Sequence, residues 1–127
     1  MLDEEAPKVY GLDSINRKFP VYVVEGPFDS NFVSNSVALC GSDGDLECLE
    51  TCDLIYVYDN EPRNKEIVGR VERCIRDDKP VVIWPNNIGE KDINDMVLAG
   101  HDVMDVLKSN TYSGLEAQLK FTTWKRI

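Results

Sequence analysis

The sequence predicts a small α/β fold, a doubly wound sheet of about four mainly parallel strands flanked by helices and followed by a helical C-terminal tail. Three observations carry this expectation. Apolar runs of four or five residues recur at Val21 to Val24, Val37 to Cys40, Leu54 to Tyr58 and Val81 to Trp84. Helical or turn-rich segments separate them, and the 127 residues fit one domain with no room for a second core. An acidic pair follows three of the four runs.

Residues 1–18 read as a tail and connector, solvated to about residue 8, with Gly11 allowing a turn before the globular part starts at residue 19. The first strand stops at Glu25. Gly26-Pro27 then supply a turn and a residue suited to a first helical position, leading into a helix around Phe28 to Ser34 in which Phe28 and Phe32 share a face. The second strand stops at Gly41-Ser42-Asp43-Gly44, where a plain turn is the simplest reading, and Leu46, Leu49 and Cys52 suggest a short helix. In the third strand Tyr56 and Tyr58 lie on one face, which is the mark of packing. Asn64 to Arg76 give the clearest helix, because Ile67, Val68, Val71, Cys74 and Ile75 form one apolar stripe. Pro80 opens the fourth strand, where a missing N–H is tolerable, and Pro85-Asn86-Asn87 closes it. Asp92 to Leu98 reads as helix stopped by Gly100, and Asp102 to Lys108 as helix with Val103, Val106 and Leu107 inward. Residues 19–109 make up the main domain, and residues 110–127 a helical tail with a helix over Ser113 to Phe121.

The acidic residues fall where this topology gathers them. Glu25 and Asp29 follow the first strand, Asp59 and Glu61 the third, Asp92 and Asp95 the fourth. Ligands bind outside the carboxyl ends of the strands in such sheets, at the switch point where the strand order reverses, so Glu25 and Asp59 are expected to face each other across that crevice. Convergent oxygen ligands suit a divalent cation, and Mg2+ takes one or two protein carboxylates with waters and phosphates completing its shell. Two ions roughly 4 Å apart would suit phosphoryl or nucleotidyl transfer. Helix capping competes with this reading: acidic residues in first turns favour the macrodipole, which accounts for Asp29, Asp92 and Asp95 without any metal. Glu25, directly ending an apolar strand, is harder to explain that way.

Composition sets further bounds. With 23 acidic and 14 basic residues the net charge is −9, which disfavours simple attraction to nucleic acid, although carboxylates that hold cations are counted in that total. Cys40, Cys48, Cys52 and Cys74 lack CxxC spacing and His101 is the one histidine, so no zinc site is expected and the thiols read as reduced. The acidic stretch Met1-Leu2-Asp3-Glu4-Glu5 has no apolar run behind it, so neither a signal peptide nor a membrane partner is expected. Arg63 and Lys91 flank the acidic edge as candidate nucleotide or phosphate ligands, with solvated counter-charges as the alternative. The basic tail Lys120, Lys125 and Arg126 with Trp124 reads as a solvated helix end with a docked indole, or as a contact for nucleic acid or a partner.

The stretch Val23-Val24-Glu25-Gly26-Pro27-Phe28-Asp29-Ser30 resembles the first signature of Toprim domains, a strand ending in Glu-Gly with an Asp four residues after the Glu. Asp59-Asn60-Glu61 sits where that family carries Asp-x-Asp, and Lys91-Asp92-Ile93-Asn94-Asp95 resembles the Lys-Asp-x-Asn/Asp element of primase Toprim domains. More closely, EGPFDS, YDNEPRN and KDINDM, with the lead-in KVYGLD, are similar to the carboxy-terminal part of DNA primases of T-even-type phages, over about residues 8–127. The resemblance implies an enzyme making RNA primers for phage DNA replication in the cytoplasm of an infected bacterial host. It implies Mg2+, or alternatively Mn2+, on Glu25, Asp59 and Glu61 as the catalytic core. Asp29, Asp92 and Asp95 then support or extend the metal site. The partners so implied are a single-stranded DNA template, ribonucleotides and a replicative helicase, together with a zinc ribbon and a basic polymerase domain that these residues do not include.

Glu61 replaces the second Asp of the general pattern, and Asn94 stands where many bacterial primases have Asp. The competing readings are a Toprim-type Mg2+-dependent nuclease on the same residues, a noncatalytic helicase-binding primase fragment, and a receiver-type signalling domain with Asp59 as phosphoacceptor. The receiver would want an acidic pair after its first strand and a Lys ending its last strand. Here Glu25 is followed by Gly26-Pro27, and Lys79-Pro80 begins a strand. The topoisomerase branch would need a tyrosine from a separate domain.

Overall fold

In a computed structural model that describes residues 9–10, 15–16, 18–26, 30–39 and 53–126, six short strands form one sheet. They are β1 (Val9–Tyr10), β2 (Val21–Val24), β3 (Ser36–Leu39), β4 (Leu54–Tyr56), β5 (Val81–Val82) and β6 (Thr111–Tyr112), in the spatial order β1-β3-β2-β4-β5-β6. The four central strands are mutually parallel, and only the two-residue edges β1 and β6 run antiparallel. The parallel core matches the sequence expectation. The edge strands do not announce themselves, because two residues carry no periodicity.

All four residues of β2 are buried. Val21 and Val23 pack with Val37, Ile15 and Leu54, whereas Tyr22 and Val24 belong to the larger core, so the central strand is covered on both faces. The chain passes from β2 to β3 on one side and later returns to β4 on the other. The strand order therefore reverses between β2 and β4, and Val23 pairs with Tyr56 just before both strands end.

Helix α1 (Lys65–Arg76) buries Ile67, Val68, Val71, Cys74 and Ile75, the five residues of the predicted stripe. Asn64 caps it, its Oδ1 accepting from the amides of Glu66 and Ile67 at 2.9 and 3.2 Å. α2 (Ile93–Leu98) and α3 (Val103–Ser109) place Met96 and Leu107 at full burial, while Val106 is only half-buried. Gly100, with φ of 92°, ends α2 in the left-handed conformation that glycine favours.

α4 (Gly114–Trp124) runs three residues past the predicted end at Phe121, because Trp124 docks inward beside Phe121 and Ala117. Residues 110–127, set apart in sequence as a tail, thus supply β6 to the sheet and a helix packed against α1.

The third and fourth predicted strands are shorter than expected. Their ladders stop at Tyr56 and Val82, although Val57 N still donates to Val23 O at 2.8 Å and Ile83 and Trp84 stay buried. Tyr56 and Tyr58 do share a face, with near-parallel rings 6.4 Å apart. Around Ser30 the described chain makes one helical bond, Ser30 N to Gly26 O, and then turns; Asn35 sits at φ of 54°. The predicted helix therefore does not continue to Ser34. Val33 is buried in this segment, and Phe32, expected to share a helix face with Phe28, is 38% exposed.

Phe28, the turn at Gly41 and Ser42, the short helix near Leu49 and the cysteines other than Cys74 lie outside the described residues. Cys74 is a buried free thiol. No helix among the described residues is long and apolar enough to cross a membrane.

Candidate metal centre

Where β2 and β4 end side by side, the next residues of each carry the carboxylates. Glu25 directly follows β2, and Asp59 lies three residues beyond β4. The Glu25 side chain is within hydrogen-bonding reach of Asp59, as the switch-point topology predicts. Oε1 of Glu25 is withdrawn from solvent, with Arg70 Nη1 at 3.8 Å.

Burial is the main reason that Asp59 holds its proton more tightly than an ordinary aspartate. The negative charges of Glu61 and Asp92 push in the same direction, against the opposing pull of Lys91 and the contact with Glu25. Glu61 is half-buried, with Lys91 Nζ 3.8 Å from its Oε1.

The backbone makes this convergence tight. Glu61 N donates to Asp59 O at 2.8 Å, and Asn64 N donates to Glu61 O at 3.1 Å, so the segment between β4 and α1 is a turn locked at both ends. Pro62 and Arg63 occupy its tip, and Arg63 is exposed. Asn60 N donates to Lys91 O at 2.6 Å and brings the loop after β5 alongside.

Asp92 and Asp95 play different parts. Asp92 is the N-cap of α2, its Oδ1 accepting from Asp95 N at 2.8 Å, and Asp95 is exposed. Asp92 thus combines helix capping with a charge felt at Asp59. The structure brings Glu25, Asp59, Glu61, Lys91 and the charge of Asp92 together, and leaves Arg63 and Asp95 on the outside. Asp29 lies outside the described residues. Among those residues no three Asp, Glu, His or Cys side chains close on one point as a preformed metal cage. Such an edge fits Mg2+, which takes one or two carboxylates and keeps waters or phosphate oxygens for the rest, better than it fits a cation needing an all-protein shell.

Three contributors escape sequence reasoning. Arg70 pairs Glu25 with Glu66, whose Oε1 lies 2.5 Å from Nη2; its place at the margin of the α1 stripe was the available signal. Asn60 donates through Nδ2 to Ile88 O and Glu90 O at 2.9 and 3.0 Å, and Trp124 Nε1 donates to its Oδ1 at 2.9 Å. Nothing local in the sequence announces contacts that span so many residues. His101 Nε2 meets Glu90 Oε1 at 2.5 Å, fastening the same loop to the segment after α2.

Fold and site together define a parallel α/β module with an acidic crevice at its switch point. No family model matches the chain. Among curated proteins it is 33% identical, over 129 aligned positions, to the DNA primase of Enterobacteria phage T4. The alignment takes in 97% of this chain and 37% of that primase, so the chain spans little more than a third of its relative. It is related to a region of a DNA primase.

Proposed function

We propose that the chain is the Toprim-type catalytic module of a phage-type DNA primase, with Glu25, Asp59 and Glu61 holding Mg2+, or alternatively Mn2+, for the nucleotidyl transfer that makes RNA primers. The observation that carries this reading is the condition of Asp59, a partly buried carboxylate forced against two other acids at the switch-point crevice. Burying like charges together is unfavourable unless a cation resolves it, and such frustration marks functional sites. The similarity to a DNA primase over nearly the whole chain supports the same reading.

When bound, a divalent cation supplies charge neutralisation at the transferring phosphate and acidifies the attacking hydroxyl. The chain's own residues arrange that chemistry. Arg70 holds Glu25 from one side at 3.8 Å, and Lys91 balances Glu61 at the same distance. Lys91 and the exposed Arg63 then meet the phosphates of ribonucleotide or template. Asp92 adds negative potential while capping α2, and Asp29 and Asp95 extend the acidic field. The carboxylates of the catalytic unit lie within residues 19–109, with 1–18 as connector and 110–127 as the helical segment that adds β6 to the sheet and packs on α1. A zinc ribbon, a basic polymerase domain and a replicative helicase are the partners with which such a module would work, on single-stranded DNA in the host cytoplasm.

The test is primer synthesis from ribonucleotides on single-stranded DNA, with the chain combined with the remaining primase domains. Product that needs Mg2+ and disappears in Asp59→Ala upholds the reading. Product unaffected by Asp59→Ala would overturn it, and metal-dependent nicking of DNA without primer synthesis would replace it with the nuclease.

A further inference from the structure

The chain has two tryptophans, and both spend their indole N–H on the residues that bracket Asp59. Trp84 Nε1 donates to Tyr58 O at 2.8 Å, and Trp124 Nε1 donates to Asn60 Oδ1 at 2.9 Å. Both rings are nearly inaccessible, at 3% and 6% exposure. The donors come from separate elements, the end of the β5 segment and the last residue of α4, and reach consecutive flanks of one acidic residue.

The geometry points to Trp84, Trp124 and Asn60 as positioning residues that fix where the Asp59 carboxylate stands. This inference rests on the reading of Asp59 as a cation ligand. The side-chain amide of Asn60 has its orientation settled by its partners: Oδ1 accepts from an indole and Nδ2 donates to two carbonyls, Ile88 O and Glu90 O. A flipped amide would set donor against donor and acceptor against acceptors. An aspartate of the same shape would oppose two carbonyl oxygens. Asn60 therefore joins three segments at one point: the Asp59 turn, the loop carrying Lys91, and α4.

The Trp124 ring packs beside Phe121, centroids 6.3 Å apart, while its position is set by its own bond to Asn60, and beyond it Arg126 N donates to Pro62 O at 2.8 Å on the far side of Glu61. Packing alone requires an aromatic ring at position 124. The N–H matters only if the turn must be held. Groups behind metal ligands commonly set affinity in this way, at about 10-fold to 100-fold per partner.

The experiment compares Trp124→Phe, which keeps a ring and removes the donor, with Phe121→Leu, which loosens the same packing and keeps the indole. Calorimetric titration of the intact chain with Mn2+ is expected to give about a 10-fold weaker Kd in Trp124→Phe and an unchanged Kd in Phe121→Leu, although both lower Tm. Without cation, the amide resonances of Asn60 and Glu61 and the carboxyl carbon of Asp59 are expected to move in Trp124→Phe only.

Equal changes in both variants, or a lower Tm in Trp124→Phe with Kd and resonances unmoved, would overturn the positioning role. If the wild type takes up no Mn2+, the metal reading fails by itself. The cation-free resonances then decide the positioning claim, upheld by movement confined to Trp124→Phe and overturned by its absence.

Discussion

The turn at Asp59 and the start of α2 at Asp92 have the same ingredients, two acidic residues a short way beyond a strand of the parallel core, and use them oppositely. At α2 the acid is satisfied locally: Asp92 bonds the Asp95 amide, Asp95 points to water, and the helix dipole favours both. At the turn Asp59 is partly removed from solvent and faces the charges of Glu61 and Asp92, which outweigh the relief from Lys91 and the contact with Glu25. Acidic residues after a strand therefore become a candidate site through what the topology sets opposite them. The spacing alone does not distinguish the two.

The largest effect expected from breaking this contrast is on cation binding. Removing a first ligand should cost more than removing a supporting group, so Asp59→Ala is expected to weaken Mn2+ binding by more than about 100-fold, read by calorimetry. Asp95→Ala should leave that affinity near the wild-type value, and equal losses would erase the distinction.

Stability should respond the other way round. Asp92→Ala removes a cap and is expected to cost about 1 kcal/mol in urea unfolding, with Asp92→Ser recovering most of it. Asp92→Ser also removes a charge, so the Asp59 carboxyl should titrate at lower pH in that variant. An unmoved titration would separate the two clusters altogether.

The pH dependence follows from the raised proton affinity of Asp59. A carboxyl whose folded value lies above its unfolded value contributes stability that is complete below the unfolded pKa and is lost as pH rises through the folded pKa. Metal-free Asp59→Asn should therefore exceed the wild type in Tm at neutral pH, and the gain should vanish on acidification below the ordinary aspartate range. A gain that persists at low pH would assign the effect to something other than this charge. The smallest effect is that of Asp95→Ala on stability, about 0.5 kcal/mol through the dipole of α2 and reduced by salt.

Much of this was legible in the chain. The stripe of α1, the four parallel strands and the meeting of Glu25 with Asp59 all follow from periodicity and switch-point topology. The edges β1 and β6 were not legible, because two paired residues are chosen by the neighbour that they meet. The length of α4 was hidden for a related reason, since its last turn forms around an indole docked on a distant loop. Arg70 looked like one surface charge among several, and Asn60 like a turn former. Each takes its part from a partner brought in by the fold, Arg70 from Glu25 and Asn60 from Trp124 and the loop at Glu90.

The most direct measurement is a calorimetric titration of Mg2+ into the intact chain and into Asp59→Ala at neutral pH. Saturable binding in the wild type and none in the variant is the predicted result. Matching heats in the two proteins, or no saturable heat in the wild type at millimolar Mg2+, would contradict the assignment of the Asp59 crevice as a cation site.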